Sequence, residues 1–520
     1  MSPSRLLPTL AAAVGLLAAA PGRAEVRALV IGIDDYAYVT PLHGAVADAR
    51  DIAQALQKVG VHDLTLILNR DATRAAIEGA WRELMARIEP GDTVVFTYAG
   101  HGSRTDEAVA GSEADGKDEF LVLSGFDLDR PSTGERLLDD MINGWFRDAE
   151  GKGATVLAAV DACHSGTAFR RLDPRAPPPT TRFVEIPIDT ELLEIPLPPE
   201  AKGGLDEKAL SELTWLAAAQ DDQTVPELPI PRADGSMERR GAMSWAFARA
   251  IEGAADADRD GTLTRGELYD FAEAKVREFA AARQTPNFWP LEQRDLPLLP
   301  LAGPGSAAAL PVVGPVRLAL VGTEQLPAGL ENVELVTDRA RAELVYDAGR
   351  RDVVTALGDV VAEAIAGTGL QAVIDKELTL RRLQLSLAGS QLRTRVLPDD
   401  RMHGDGDEIT VAIDGIRQPY LTLFNLAGDG TVQFLFPAEG DSPTVPVGSR
   451  FVLGPIYVGA PFGADHIVAV VTPGPPEALL AALRAHDLKP AVSTVAKSIL
   501  AALAEPGAQI GVQGIFTGRR

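Results

Sequence analysis

The single cysteine of this 520-residue chain, Cys163, and the histidine His101 occupy similar positions in the sequence. Cys163 follows the apolar run 155–160, and His101 follows the apolar run 93–99, with glycines close to both residues. An imidazole that takes the proton of a neighbouring thiol turns the sulfur into a nucleophile. The pair therefore indicates nucleophilic catalysis. The alternative interpretation is an inert, buried thiol beside an unrelated histidine.

Apolar runs alternate with amphipathic stretches from residue 25 to 170, a pattern typical of a parallel α/β sheet. The pattern predicts strands at 26–33, 64–68, 93–99, 155–160 and 215–219, and helices at 45–59, 74–88, 242–254 and 266–282. Ligands bind at the carboxyl ends of parallel strands, so the His101 and Cys163 segments should open onto one crevice. The backbone N–H groups of Gly102 and Cys163 are our candidate donors to a developing oxyanion.

A carboxylate precedes the cysteine by two positions. Side chains alternate along a strand, so Asp161 should point to the same side as Cys163. A carboxylate beside the nucleophile attracts a cationic substrate side chain and repels an acidic one. Asp48, near the start of the first predicted helix, would by itself be explained as a solvated residue that suits the helix dipole.

Five segments resemble caspases and metacaspases over roughly residues 25–290. They are Leu29 to Ile33, Leu42 to Ala49, Tyr98 to Gly102 (YAGHG), Asp161 to Gly166 (DACHSG) and Gln284 to Pro286. The resemblance implies a caspase-like fold, with a mostly parallel sheet flanked by helices. It also implies a cysteine-type endopeptidase in which Cys163 and His101 form the catalytic dyad.

In metacaspases, carboxylates at the positions of Asp161 and Asp48 line the pocket for the residue before the cut bond. The resemblance thus implies substrate binding by both residues and cleavage after arginine or lysine. Two departures are Ala99, where metacaspases commonly have serine, and Ala45, where they commonly have cysteine.

The proline-rich segment 173–204 is predicted to be a surface loop or linker. If the enzyme cuts after arginine, Arg170, Arg171, Arg175 and Arg182 are candidate sites of self-cleavage. A solvated linker that is never cut is the alternative.

An acidic loop at residues 256–267 matches the EF-hand pattern. The predicted calcium ligands are Asp256, Asp258, Asp260, the backbone carbonyl of Thr262, and Glu267. A single hand of this kind would have a structural role, and a polar turn between helices is the alternative. The sequence indicates no organic cofactor.

The N-terminus predicts export. Arg5 precedes an apolar run from residue 6 to 20, and small residues then lead to a predicted cleavage site after Ala24. A membrane anchor is the alternative, although fifteen residues are short for a span. The mature protein would be periplasmic or secreted, with no membrane span. The net charge of −24 argues against a nucleic-acid partner.

We predict four parts: a signal peptide (1–24), a caspase-like peptidase domain (25–295), a linker (296–316) and a C-terminal α+β, β-rich region (317–520). In the last part the sequence predicts a strand at 342–346, a helix at 352–365, a hairpin of residues 420–427 and 431–436, and helices at about 475–486 and 493–504. This region resembles a β-rich accessory domain that often follows caspase-like domains in bacterial exported proteins.

Three functional hypotheses follow. The first is a cysteine endopeptidase that acts on peptides or proteins with basic residues. The second is a catalytically inactive caspase-like module that binds peptides or partners at the envelope. The third is an envelope scaffold held by the C-terminal region. Intact Cys163, His101 and Asp161 favour the first, because a binding module need not keep all of them.

Overall fold

The structure is a computed structural model. It describes residues 24–106, 117–129, 134–163, 180–186, 210–220, 223–232, 236–280, 284–301, 313–323, 327–355, 358–365, 369–385, 392–398 and 402–519. Nearly all of the predicted signal peptide, together with Arg170, Arg171 and Arg175, lies outside these ranges. Within them, no helix is both long and apolar enough to cross a bilayer.

The N-terminal part contains thirteen strands and five α-helices among the described residues. The strands are β1 (Val26–Gly32), β2 (Asp63–Leu68), β3 (Thr93–Ala99), β4 (Gly102–Asp106), β5 (Lys117–Val122), β6 (Arg136–Leu138), β7 (Thr155–Asp161), β8 (Leu213–Ala217), β9 (Leu228–Pro231), β10 (Met237–Arg240), β11 (Thr262–Thr264), β12 (Asn287–Trp289) and β13 (Pro297–Pro300). The helices are α1 (Ala45–Lys58), α2 (Arg74–Met85), α3 (Asp139–Gly151), α4 (Ala242–Arg249), which continues into a π-helical turn, and α5 (Arg265–Ala280).

A six-stranded sheet in the order β12-β8-β7-β3-β1-β2 forms the centre of this part. All neighbours are parallel except β12, which runs antiparallel to β8. Both faces of the sheet are covered, so its strands are apolar throughout rather than alternating. In β1, Ala28 and Val30 belong to the core with α1, α4 and α5, while Leu29 and Ile31 belong to the core with α2 and α3.

The predicted caspase-like fold is therefore confirmed, with one difference at the domain boundary. The segment predicted as a linker, 296–316, begins with β13, which pairs with β11 inside the acidic loop. Leu298 and Leu299 are buried in the peptidase core, although the surrounding prolines and glycines suggested an unpacked stretch.

The C-terminal part is rich in strands. They are β14 (Val316–Val321), β15 (Val333–Leu335), β16 (Leu344–Asp347), β17 (Asp352–Thr355), β18 (Val360–Ala362), β19 (Arg393–Leu397), β20 (His403–Gly404), β21 (Glu408–Asp414), β22 (Tyr420–Leu426), β23 (Thr431–Phe436), β24 (Phe451–Tyr457), β25 (Ala464–Thr472), β26 (Lys489–Pro490) and β27 (Gln509–Gly518). Three helices accompany them: α6 (Leu370–Leu385), α7 (Glu477–His486) and α8 (Val492–Leu503).

These strands form sheets of five, three and six strands. The predicted hairpin is the antiparallel pair β22 and β23. The predicted helix at 352–365 is wrong, because β17 and β18 form an antiparallel pair there. The β-branched pairs Val353-Val354 and Val360-Val361 favour strands, and Gly358, with a φ of 91°, stands in the connection between them.

Candidate active site

The central sheet brings the histidine and cysteine segments to one edge. Neighbouring strands β3 and β7 are parallel, with Ala99 opposite Asp161, so the residues that follow them leave the sheet side by side. Gly100 fits closely under the hydroxyls of Tyr36 and Tyr98, where a Cβ atom would overlap both. The side chains of His101 and Cys163 are almost completely buried in this arrangement.

Backbone and tyrosine contacts orient the His101 ring. Its Nε2 lies 2.8 Å from the carbonyl oxygen of Thr40, and a carbonyl can only accept. The proton therefore resides on Nε2, which leaves the lone pair on Nδ1, a buried atom without a hydrogen-bond partner. The N–H of His101 donates to the Tyr36 hydroxyl at 2.8 Å, and the Tyr98 hydroxyl donates to the His101 carbonyl at 2.8 Å. Nδ1 is thus the atom available as a base.

The Cys163 thiol is held by a neighbouring loop. Its Sγ accepts a hydrogen bond from the N–H of Val225, and it lies 3.7 Å from the carbonyl oxygen of the same residue. Among the described residues, no hydrogen bond joins Cys163 to His101.

The two candidate oxyanion donors share one acceptor, which comes from the chain itself. The N–H groups of Gly102 and Cys163 donate to the carbonyl oxygen of Arg182, at 2.9 and 3.1 Å. Two N–H groups that converge on one carbonyl oxygen at these distances have the geometry of an oxyanion hole.

The side chain of the same arginine occupies the acidic pocket. Its guanidinium lies 2.5 Å from Asp48, 2.9 Å from Asp161 and 3.7 Å from Glu227, and it is fully buried. Predicted pocket residues Asp48 and Asp161 are therefore brought together around one cation.

Residues on either side of Arg182 lie in an extended conformation between two backbone segments. Arg182 N–H donates to the Val225 carbonyl at 3.0 Å, and Glu227 N–H donates to the Thr180 carbonyl at 2.9 Å. On the other side, Val184 N–H donates to the Gly102 carbonyl at 3.0 Å. Residues 180–186 are thus packed into the crevice, in contrast to the surface loop predicted for 173–204. Backbone pairing and the buried arginine outweigh the proline-rich composition here.

The pocket has further parts that the sequence analysis missed. Arg240 Nε lies 2.5 Å from Asp48, and Gly241 N–H donates to Asp48 at 2.9 Å. Glu227 accepts from the N–H of Gly44 at 2.7 Å, and a Cβ on Gly241 would overlap the Asp161 carboxylate. No local sequence signal marks Glu227 or Arg240, because both lie between β8 and α4, far along the chain from Asp48 and Asp161.

Burial sets the protonation states in this closed arrangement. Burial raises the pKa of Cys163 to about 12 and lowers the pKa of His101 to about 4, in both cases by disfavouring the charged form. Burial also raises the pKa of Asp48 above its usual value, against the opposing charges of Arg240 and Arg182, and it raises the pKa of Glu227 against the charge of Arg182. The thiol and the imidazole are therefore both neutral while the crevice is filled.

The acidic loop lies between the π-helical turn after α4 and helix α5. Carboxylate oxygens of Asp256, Asp258 and Asp260 lie within 4.8 Å of one another, and Oδ1 of Asp256 is buried without a hydrogen-bond partner. Glu267 accepts from the N–H of Ala257 at 2.8 Å, which keeps it at the loop. Thr262 follows Gly261, whose φ is 82°. These hard oxygen donors fit a calcium ion.

A sheet of this order, with histidine and cysteine at the ends of adjacent parallel strands, defines the caspase-like class of α/β proteins. The comparison with known families agrees: the model of the caspase domain matches residues 25–296, more than half of the chain, and the chain belongs to this family. The predicted relationship to caspases and metacaspases is confirmed.

Two relatives and one solved structure show the extent of the similarity. Metacaspase-1 of Mycosarcoma maydis is 32% identical over 151 residues, 28% of this chain and 36% of that protein. Metacaspase-2 of Arabidopsis thaliana is 28% identical over 272 residues, 50% of this chain and 58% of that protein. The structure described as "structure of pro-sf-caspase-1" is 12% identical, covers 52% of this chain and 90% of that chain, and has a TM-score of 0.33. Each metacaspase match spans less than two thirds of the relative.

Proposed function

We propose that this protein is a cysteine endopeptidase that cuts peptide bonds after arginine or lysine, with Cys163 as nucleophile and His101 as base. The observation that carries the proposal is the position of Arg182. Its side chain fills the acidic pocket while its carbonyl oxygen accepts hydrogen bonds from Gly102 and Cys163. A substrate arginine needs both interactions at once, and one residue of the chain makes them together.

The geometry suits acyl transfer. Sγ of Cys163 attacks the carbonyl carbon of the basic residue, and its proton passes to Nδ1 of His101. The N–H groups of Gly102 and Cys163 stabilise the negative charge on the carbonyl oxygen. The imidazolium then protonates the leaving amine, which breaks the peptide bond and leaves an acyl-enzyme. Water hydrolyses that thioester and restores the thiol.

Three carboxylates set the preference for a basic residue. Asp48, Asp161 and Glu227 all face the guanidinium of Arg182 at 3.7 Å or less. An acidic side chain in the same place would bring a fourth negative charge into a buried site, which is strongly unfavourable. Lysine carries one positive charge on a flexible stem and would match the pocket less completely than arginine does.

Because Arg182 occupies the acidic pocket, the Arg182–Phe183 peptide bond would be the first bond that the enzyme cuts. Residues 180–184 fill the crevice in the manner of a bound peptide, so the intact chain is closed to other substrates. Cleavage of this bond would free the arginine end and open the pocket. Of the four arginines considered for self-cleavage, Arg182 is the one within the described residues, and its position favours it.

Self-cleavage and turnover of added peptides test the proposal together. We expect the purified chain to yield a fragment that begins at Phe183, and Cys163→Ala and Arg182→Gln to stay intact. Arg182→Lys should still be cut, and Arg232→Gln, which changes an exposed arginine paired with Glu238, should behave as the unaltered chain.

Reporter peptides that end in arginine, lysine or aspartate complete the test. Turnover of the arginine and lysine reporters, lost in Cys163→Ala, is the expected result. Selective turnover of the aspartate reporter would overturn the pocket assignment. A well-folded chain that neither cuts itself nor turns over any reporter would instead be an inactive module that binds peptides.

We also propose that residues 256–267 bind calcium in a structural role. Asp256, Asp258, Asp260, the carbonyl of Thr262 and Glu267 would hold the ion. The close approach of three carboxylates and the unpartnered Oδ1 of Asp256 support it. A bound ion would fix the connection between α4, which packs beside the cysteine strand, and α5.

Export to the periplasm or the outside of the cell is a further proposal, supported by the basic start and the apolar run of residues 5–20. N-terminal sequencing of the protein recovered from cell fractions would test it. A mature chain that begins at Glu25 is the expected result, and recovery of unprocessed chain in the cytoplasm alone would contradict export.

A further inference from the structure

The crevice also forms hydrogen bonds with the residues that follow Arg182. Val184, two residues after Arg182, donates its N–H to the Gly102 carbonyl at 3.0 Å. Its own carbonyl oxygen accepts from the hydroxyl of Ser103 at 2.6 Å. Ser103 is fully buried, and this is a backbone contact that any peptide in the same position would offer.

The side chains after the arginine enter apolar surroundings on alternating sides. Phe183 packs against the hydrophobic core that contains Cys163, on the side of α1, α4 and α5. Val184 is buried, and it belongs with Ile186 to the core on the side of α2 and α3. Glu185, which lies between Val184 and Ile186 in the sequence, is exposed to solvent. This alternation is that of an extended strand whose successive apolar side chains contact two different parts of the core.

We propose that these are the substrate subsites after the cut bond, and that the enzyme selects peptides in which the basic residue is followed by two apolar residues. The first subsite takes a large apolar side chain, the second takes a buried aliphatic one, and Ser103 fixes the backbone of the second residue. This inference rests on the proposed function, since it assigns the other half of the same crevice. Basic residues followed by charged or very small residues are poor substrates.

Four quenched fluorescent peptides test the subsites. All carry Thr-Thr-Arg before the cut, as in residues 180–182, followed by Phe-Val, Gly-Val, Phe-Gly or Phe-Asp. Loss of a buried apolar side chain should lower kcat/KM about tenfold or more, and a buried aspartate should lower it further. The chain's own residues 183–186 must leave before any of these peptides binds, so all four face the same competition and their ratios report the subsites.

Ser103→Ala gives the second measurement, with Thr105→Ala on the same strand as the matched control. We expect Ser103→Ala to lower the ratio of kcat/KM for the Phe-Val peptide to that for an arginine-amide reporter by about 3- to 10-fold, mainly through KM. Thr105→Ala should leave the ratio unchanged.

Failure of this inference can be told from failure of the proposed function. If the arginine-amide reporter is turned over but the four peptides are cut at equal rates, the subsites are overturned and the peptidase stands. If neither the reporter nor any peptide is cut, both proposals fall. An equal loss of the ratio in both strand variants would also reject the role of Ser103.

Discussion

Arg182 and Arg240 share a buried site with three carboxylates. Arg182 contacts all three, and Arg240 contacts the other oxygen of the Asp48 carboxylate at 2.5 Å. Removal of one partner from a buried ion pair is far more costly than loss of a surface pair, because it leaves an uncompensated charge. If the proposed cleavage releases Arg182, the pocket lacks one positive charge, and a basic substrate side chain would restore it.

Two of the three carboxylates, Asp161 and Glu227, should differ in their importance for turnover. We expect Asp161→Asn to lower kcat/KM for an arginine reporter by about a hundredfold or more, since it contacts the guanidinium at 2.9 Å. Glu227→Gln should cause a smaller loss, because its closest approach is 3.7 Å. Glu83→Gln, which changes an exposed carboxylate on α2, is the control and should have little effect. Equal losses in all three variants would contradict this ranking.

The pH dependence should differ between self-cleavage and turnover of added peptides. In the filled crevice the pKa of His101 is lowered to about 4, and the neutral imidazole is the form that accepts a proton. Self-cleavage should therefore stay fast as the pH falls to about 5. The value of kcat/KM reports the free enzyme, in which departure of the bound segment would expose His101 to water. This value should therefore decrease as the pH drops below about 6.5. If both reactions lose their rate over the same acidic pH range, burial does not lower the pKa of His101 during self-cleavage.

The residues found from the sequence are those carried by short motifs. Asp161 ends β7 and Cys163 lies two residues beyond it, while His101 and Gly102 lie just beyond the end of β3. Local pattern and strand alternation were therefore enough to predict that these residues meet. Thr40 could not be found this way, because it acts through its backbone carbonyl.

At the scale of elements, the hairpin of β9 and β10 connects the two halves of the site. Before it, Val225 and Glu227 pair with the bound segment, and at its end Arg240 and Gly241 contact Asp48. Sequence patterns predicted the central strands and the helices around them, because long apolar periodicities dominate there. They did not predict this hairpin, whose short strands contain prolines and charged residues in place of a clear alternation.

The acidic loop is an element whose proposed ligand can be tested directly. We expect calcium to raise the melting temperature of the Cys163→Ala chain and to bind in a calorimetric titration, with about 2.7 kcal/mol of stabilisation at a hundredfold excess over Kd. Asp258→Asn and Asp260→Asn should abolish both effects. Glu439→Gln, an exposed carboxylate elsewhere, is the control. A melting temperature insensitive to calcium and to chelators would show that the loop is a polar turn.

At the scale of the whole molecule, helix α5 joins the peptidase part to the C-terminal part. Lys275 is fully buried, with its Nζ 2.8 Å from Glu278 and 3.0 Å from the carbonyl of Gln384 in α6. Nearby, Arg395 of β19 contacts Glu273 at 2.9 Å. Helix α5, which follows the acidic loop, therefore also forms contacts between the peptidase part and the C-terminal part.

The buried lysine should make a large contribution to stability. We expect Lys275→Ala in a Cys163→Ala chain to lower the free energy of unfolding by about 3–5 kcal/mol, because Glu278 loses its cationic partner in a buried site. Lys58→Ala, which breaks an ion pair of an exposed lysine, should cost under about 1 kcal/mol. Denaturant titration measures both, and similar losses in the two variants would contradict a large contribution of the buried Lys275–Glu278 pair.

The arginine in the crevice belongs to the same chain as the cysteine, and this has a kinetic consequence for the proposed activation. A bond already bound in the site is cut in a unimolecular step, so the half-time of activation should not depend on protein concentration. The delay between synthesis of a molecule and its activation would then be set by the rate constant of that one chain. Activation that accelerates as mature enzyme accumulates would instead require that one molecule reach a bond that another keeps buried.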